Sequence, residues 1–326
     1  MKEIGLVGMP FSGRSTLFTA LTRVGSHGGR ANVAVVPVPD PRLEVLARIE
    51  RSARVVPAQV RFVDVPGGVS SAQGLARLRE VDALAVVLRC FGTEPRPAEE
   101  LAEVRAELLL ADLIVIEQAL ERALKRARGA ESPEVRALAA ARAALEAGTP
   151  LRAAGLDDEA HHALRALGPL TAKPEVVVAN LAEHAELPEE LAAQGAVGVS
   201  AAIEAEAAEL DPAEAAALLE AFGVREPGLP RVIAACYRAL DLVTFLTTGE
   251  DETRAWPVRR GARAAEAAGT IHSDLQRGFI RAEVIAYEDL VAAGSLDAAR
   301  SAGRVRIEGK DYVVQEGDVL HVRFAV

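Results

Sequence analysis

Short apolar runs bounded by turn residues recur through the first two-thirds of the chain, and each predicts a strand. IGLVG at 4–8 ends in glycine and gives way to STLFTALTRV at 15–24, whose spacing is helical with Ser15 near its start. VAVVPVP at 33–39, VRFVDVPG at 60–67 and DALAVVLRC at 82–90 follow, then PEVVVAN at 174–180 and AVGVSAA at 196–202. These runs are nearly continuously apolar, as strands covered on both faces of a mostly parallel sheet should be. Between DALAVVLRC and PEVVVAN lies an Ala/Glu/Arg/Leu stretch from Pro97 to Leu167. Leu101, Val104, Leu108, Ala111 and Val115 keep a heptad-like spacing that Gln118 interrupts. A break at Gly129–Pro133 precedes a second helical stretch through Val135, Leu138 and Leu145, so an antiparallel helical hairpin is predicted here.

Past Pro230 the texture changes. A helix around RVIAACYRALDL leads into VTFLTTG, RAWPVRRG, FIRAEVIAY, RVRIEG, DYVVQEGD and VLHVRFAV, short alternating runs with Gly and Asp turns. The pattern predicts an α/β fold in three parts: a P-loop domain over 1–95 plus 170–238, an inserted helical hairpin over 96–169, and a small β-rich module over 239–326.

Composition narrows the classes. The 326 residues suffice for a large core without staples, and no long uncharged apolar run predicts a membrane span. No secretory signal is recognisable after MKEIGLVGMP. Cys90 and Cys236 sit in apolar surroundings, which suits buried thiols in a reducing compartment, so the expected location is the cytoplasm. A formal charge of −10 argues against sequence-blind binding to DNA or another polyanion, while leaving room for a local basic patch. The six histidines show no metal-ligand spacing; His161 and His162 read as a solvated pair, and His272 and His321 as structural hydrogen-bonding residues.

Candidate chemistry gathers at the carboxyl ends of the strands. Gly8-Met9-Pro10-Phe11-Ser12-Gly13-Arg14-Ser15 follows a strand and opens a helix, the context a phosphate loop requires. Inward N–H groups and the helix N-terminus would hold phosphates along Gly8, Phe11, Ser12, Gly13, Arg14, Ser15 and Thr16, with the Ser15 hydroxyl placed for Mg²⁺. Asp64-Val65-Pro66-Gly67 has the D-x-x-G form: Asp64 would reach Mg²⁺ through water, and the Gly67 N–H would sense a γ-phosphate. Asn180-Leu181-Ala182-Glu183 and Ser200-Ala201-Ala202 end the next two strands, where base-contacting loops belong. Four such motifs in this order describe one crevice. In the β-rich part, Arg254, Arg259, Arg260 and Arg263 surround Trp256, an arrangement able to contact RNA.

The wording of these segments resembles the YchF family, a branch of the Obg-related P-loop NTPases, over essentially the whole chain. The matching stretches are STLFTALT, VVPVPDPRLEVLA at 35–47, VLRCF at 87–91, ELLLADLIVIEQALER at 107–122 and NLAE at 180–183. SAAIEAEAAELD at 200–211, EPGLPRVI at 226–233, and the block from RAW to DVLHVRF at 254–324 complete the match. The resemblance implies a G domain interrupted by a helical hairpin and followed by a β-grasp-like TGS domain. It further implies binding of ATP or GTP with Mg²⁺, and association with ribosomes and translation. Losing the usual base-reading aspartate, with Glu183 in N-x-x-E, removes the discrimination in favour of guanine.

Three departures touch hydrolysis. Arg14 stands where the family's loop has lysine, a planar fork replacing a compact charge. The segment Ser26–Asn32 lacks the family's P-F-x-T threonine, and the glycine-rich loop after D-x-x-G is trimmed to Gly68–Leu75. Phosphoryl transfer depends on positioning and charge, so slow or absent hydrolysis with weakened nucleotide binding is expected. The competing expectation is a non-hydrolysing interaction scaffold that works through its helical arm and TGS module.

Overall fold

The structure, a computed structural model, describes residues 1–22, 32–128 and 132–325. It divides into two compact units: Met1–Val36 with Val60–Leu240, and Pro37–Gln59 with Asp241–Val326.

The first unit is built on a sheet ordered β2-β4-β1-β5-β6-β7. Its strands are β1 (Glu3–Val7), β2 (Asn32–Pro37), β4 (Gln59–Asp64), β5 (Ala83–Cys90), β6 (Glu175–Leu181) and β7 (Val197–Val199). From β4 through β7 every pairing is parallel. The central β1 and β5 are buried almost throughout, as strands covered by helices on both faces must be. β2 differs from expectation. It is an edge strand, and Val33 and Val35 are exposed, so its apolar run covers one face only.

Helix α1 (Arg14–Thr22) leaves β1 through the glycine turn and buries Leu17, Phe18, Ala20 and Leu21. Helix α3 (Ala72–Glu80) follows β4, capped by Ser71, whose Oγ accepts from the Gly74 N–H at 3.0 Å. The long helix α4 (Pro97–Ala127) packs in two halves. Leu101, Val104, Leu108 and Ala111 join the core against the sheet. Ile116, Ala119, Leu120 and Ala123 instead meet Leu138, Ala141 and Leu145 of helix α5 (Pro133–Glu146). Val115 is only half-buried, with Ile116 in its place, and the seam runs past Gln118 without a break. An α-helix turns every 3.6 residues, so a strict 3.5 spacing drifts by about 20° per heptad, and by Val115, two heptads after Leu101, the buried position has passed to Ile116.

The root of this hairpin is fixed by Asp112, which is fully buried. Its carboxylate accepts from Arg79 Nη1 at 2.6 Å, from the Leu170 and Thr171 N–H groups at 3.0 and 2.7 Å, and from Thr171 Oγ1 at 2.8 Å. A buried charge survives when it is paired and its lone pairs are filled, and both conditions hold here.

The second unit carries a sheet ordered β11-β10-β12-β8-β9-β3. Its strands are β3 (Val55–Val56), β8 (Leu242–Thr247), β9 (Thr253–Arg259), β10 (Phe279–Ala286), β11 (Arg306–Glu308) and β12 (Asp318–Phe324). Val243, Phe245, Val258, Ala267, Val284 and Leu320 centre its core. Sequence reading assigns Pro37–Gln59 to the N-terminal domain, yet this segment supplies β3, parallel to β9, and helix α2 (Pro41–Glu50) to the second unit. The DYVVQEGD run forms no strand beyond an isolated bridge between Val313 and Arg263. The Asp318 carboxylate takes the Gln315 N–H and the Tyr312 hydroxyl, each at 2.8 Å, and holds the segment as a turn.

Among the described residues no helix is long and apolar enough to cross a membrane, and no cluster of three metal-ligating side chains occurs. His272 Nδ1 caps a short helix by accepting from the Asp274 N–H, whereas the exposed His321 has no side-chain hydrogen bond among the described residues. Burial raises the thiols of Cys90 and Cys236 to about 11 and about 12, so both remain protonated.

Candidate functional site

The turn between β1 and α1 brings the phosphate-loop residues together. Met9, Phe11, Ser12, Gly13, Arg14, Ser15 and Thr16 line a cavity of about 180 Å³. Gly8 precedes it at the end of β1. Gly13 sits at φ +84°, and a Cβ there would lie 2.1 Å from Asn180 Nδ2, so only glycine fits. Phe11 also has a positive φ, +66°, with its ring 89% exposed, an unusual conformation for a bulky residue.

Beside this loop, a second cavity of about 430 Å³ is lined by Gly13, Thr16, Phe91, Asn180, Leu181, Ala182, Glu183, Ser200, Ala202 and Ile203. Asn180, at the end of β6, is nearly buried and uses both ends of its amide. Nδ2 donates to the Ser12 carbonyl at 3.2 Å, and Oδ1 accepts from the Ala201 N–H at 3.2 Å. One side chain therefore fixes the phosphate loop against the Ser200–Ala202 loop. Glu183 reaches the rim of the cavity and is exposed.

Two residues here carry no role in the sequence reading. Phe91, the last residue of VLRCF, gives this cavity an aromatic wall, the one aromatic ring among its described lining residues. Glu204 lies under the Ser200 loop, and its Oε1 accepts from the Ser200 and Gly228 N–H groups at 3.3 and 2.9 Å while Oε2 accepts from Leu229 at 2.8 Å. Burial raises its pKa, and the three backbone donors offset that only in part. Glu204 is the first of three acids in SAAIEAEAAEL and directly follows Ile203 at the start of the helix, the one signal that could have found it.

At the D-x-x-G turn the arrangement departs from an ordinary phosphate loop. Asp64 Oδ2 accepts from Ser15 Oγ at 2.9 Å. Asp64 Oδ1 faces Arg14 Nε at 3.5 Å, the two side chains being only 4% and 15% exposed. The Arg14 guanidinium therefore lies along the carboxylate and over the turn, where a Cβ on Gly68 would fall 2.0 Å from Nη1. Gly67 turns the chain at φ +76° into the short helical turn Gly68–Ser70. Among the described residues, the buried side-chain polar atoms without a hydrogen-bond partner are Ser12 Oγ, Arg14 Nε, Arg14 Nη1 and Asp64 Oδ1. All four belong to this one site. Buried polar groups are normally satisfied, so their clustering marks a place built for a polar ligand.

The Ser15 hydroxyl and Asp64 suit Mg²⁺ that arrives with phosphates, because that ion is commonly held by one or two protein oxygens plus phosphate and water. The expected switch segment at 26–31 lies outside the described residues, as does its threonine-free comparison with the family; Asn32 begins β2.

In the second unit the arginine group is largely neutralised. Arg254 pairs with Glu252 at 3.7 Å, Arg260 with Asp241 at 2.9 Å and Arg263 with Asp311 at 2.6 Å. Arg259 is exposed and has no ion-pair partner among the described residues. The Arg254 guanidinium covers the Trp256 ring at 4.2 Å, Trp256 stacks on Phe245, and its Nε1 donates to Thr247 Oγ1 at 2.9 Å. Trp256 is thus already occupied, and sequence proximity overstates what the patch can offer to a base.

Comparisons with known proteins agree with this geometry. Residues 242–325 match the YchF-GTPase_C family, described as a protein of unknown function (DUF933). The chain is 42% identical over 360 residues to the "Ribosome-binding ATPase YchF" of Haemophilus influenzae, covering 99% of each chain. It is 38% identical over 361 residues to the protein of that name from Bacillus subtilis, again covering 99% of each. Among solved structures, the YchF GTPase of Schizosaccharomyces pombe superposes with a TM-score of 0.84 at 27% identity, covering 99% of this chain and 97% of that one. Because the Haemophilus match spans 360 residues and this chain has 326, at least 34 positions of the relative (360 less 326) have no counterpart here. Full-length similarity at this level, joined to a phosphate loop, D-x-x-G turn and N-x-x-E base loop around one crevice, shows that the chain belongs to the YchF family.

Proposed function

We propose that this chain binds purine nucleotide, ATP or GTP, in the crevice between the phosphate loop and the Asn180 and Ser200 loops, and associates with ribosomes in the cytoplasm. Turnover of the nucleotide is slow or absent. The observation that carries the reading is the cluster of four buried polar atoms without a hydrogen bond at Ser12, Arg14 and Asp64, two of them facing each other as an ion pair, beside a cavity large enough for a base. It favours a nucleotide binder over a scaffold that has lost its ligand, since unsatisfied buried groups cost about 1–3 kcal/mol each.

Gly13, Ser12 and the N-terminus of α1 would take the phosphates, and Phe91, Asn180, Leu181, Ala201 and Ile203 would enclose the base. When bound with nucleotide, Mg²⁺ would be held by Ser15 and, through water, Asp64; it supplies charge neutralisation of the phosphates. Arg14 is the loop's cation, and it lies on Asp64 rather than over the phosphate space. That placement supports weak stabilisation of a transferring phosphoryl group, where charge and position do most of the work. In this reading the function divides over a P-loop part, a helical arm and a C-terminal module, with Pro37–Gln59, which clusters with Asp241–Val326, counted in the module. Ribosome contact, proposed from the relatives' names, would use phosphate pairing by Arg259 and its neighbours more than stacking on Trp256.

Titration calorimetry with ATP, GTP and ADP, followed by single-turnover assays, tests the reading. Binding in the micromolar range with little or no phosphate release over many minutes is expected. Failure to bind any of the three at millimolar concentration would reject it.

A further inference from the structure

An ordinary phosphate loop brings two cations to the polyphosphate, its lysine and a divalent ion, and the aspartate of D-x-x-G draws the second. In this chain that aspartate already has a cation of the protein's own. Arg14 Nε lies 3.5 Å from Asp64 Oδ1, and Ser15 Oγ holds the other oxygen at 2.9 Å. The contact is sheltered, with Asp64 almost fully buried and Arg14 mostly so. It is also walled in: Nη1 occupies the space that a side chain at position 68 would fill, and Gly68 itself turns at φ +47°.

Charge explains what this does to a ligand. A bare carboxylate at the edge of a phosphate site repels the polyphosphate, and a divalent ion normally bridges the two. A guanidinium on that carboxylate brings the local charge of the pair to zero before any ligand arrives. Nε faces that carboxylate and Nη1 is buried against Gly68, so the guanidinium acts here through its charge rather than by direct contact with phosphate. Guanidinium groups stay charged at any physiological pH.

We propose that Arg14 takes the place of the divalent cation in the binding step, so that this chain binds purine nucleotide with an affinity nearly independent of Mg²⁺. The inference rests on the reading of the crevice as a nucleotide site. It assigns Arg14 a specific part there: it neutralises Asp64, the charge that the divalent ion would otherwise have to bridge. The ion still fits beside Ser15, but binding does not require it.

Fluorescence titration with mant-ADP and mant-AMPPNP, each in excess Mg²⁺ and in excess EDTA, tests the proposal. For the natural chain the two dissociation constants are expected to agree within about threefold. Arg14→Lys leaves Asp64 to the ion and is expected to bind at least about tenfold more weakly in EDTA than in Mg²⁺, a gap of about 1.4 kcal/mol. Arg14→Gln keeps a polar side chain without the charge and should show the same dependence, and a thermal melt of each variant confirms that it is folded. Binding by the natural chain that collapses in EDTA would mean that the guanidinium leaves Asp64 when the ligand arrives, and would overturn the proposal alone. Absence of binding in both conditions would overturn the nucleotide reading as well. Equal Mg²⁺ dependence in the natural chain and Arg14→Lys would also defeat it, because the substitution would then have no bearing on the ion.

Discussion

Single residues decide more here than the motifs that contain them. The glycine framework, Ser15, Asp64 and Asn180 stand where their patterns put them, since each pattern is local to one strand end. The direction of the Arg14 side chain was not legible, because it depends on a turn at Gly68 that meets it only in the folded state. Glu204 escaped notice for the same reason; its partners come from two separate loops. Glu204→Gln keeps an acceptor for Ser200 and Gly228 but turns a donor towards the Leu229 N–H, and should destabilise the chain by about 1 kcal/mol. The pH dependence has a definite sign. Burial raises the folded-state pKa of Glu204, so its contribution is fully present below about 4.5, the unfolded value, and is lost as pH rises through the folded value. Urea unfolding of both proteins across that window should show the advantage of the natural chain shrinking as pH increases; a gap that widened would contradict the burial argument.

At the scale of elements, the strands β1, β5 and β6 were readable because covered parallel strands are apolar at every position. The hairpin was readable as helical but not in its packing, since half of α4 belongs to the sheet core and half to α5. Spacing within one helix identifies a buried face and leaves open what covers it. The joint between those halves is Asp112, with Arg79 from α3 and the backbone at Leu170 and Thr171 as its partners. Removing one member of such a buried group strands the others without solvent. Asp112→Ala is therefore expected to cost about 3–5 kcal/mol, measured by chemical denaturation. Loss of less than about 1 kcal/mol would show that the hairpin is held by its apolar seam alone.

For the whole molecule, the composition of the second unit is the main lesson. Its C-terminal segment is recognisable as a family module over 242–325, yet the sheet ends in β3 and includes α2, both from Pro37–Gln59. Nothing in the local pattern of VVPVPDPRLEVLA says which sheet it will join, because strand pairing between distant segments leaves no periodic trace in either. A fragment of residues 241–325 leaves β9 as an unpaired edge and should melt with lower cooperativity than the same fragment joined to residues 37–59 by a flexible linker. Circular dichroism melts of the two constructions make the comparison, and identical transitions would show that the early segment is dispensable.

The same sheet order has a consequence for biosynthesis. β12 lies in the interior of its sheet, between β10 and β8, and is made after every other strand in it. Pro37–Gln59 leaves the ribosome long before, since Asp318 is added 259 residues after Gln59 (318 less 59). At typical elongation speeds of about 5–20 residues per second, that interval lasts on the order of ten to fifty seconds. Through most of it the apolar face of α2, with Leu43, Leu46 and Ala47, waits for β9 (Thr253–Arg259), the strand it packs against. The nascent chain thus carries an early, sticky segment through most of its own translation, and the period of greatest exposure to holding chaperones or misassembly falls before the last strand is read.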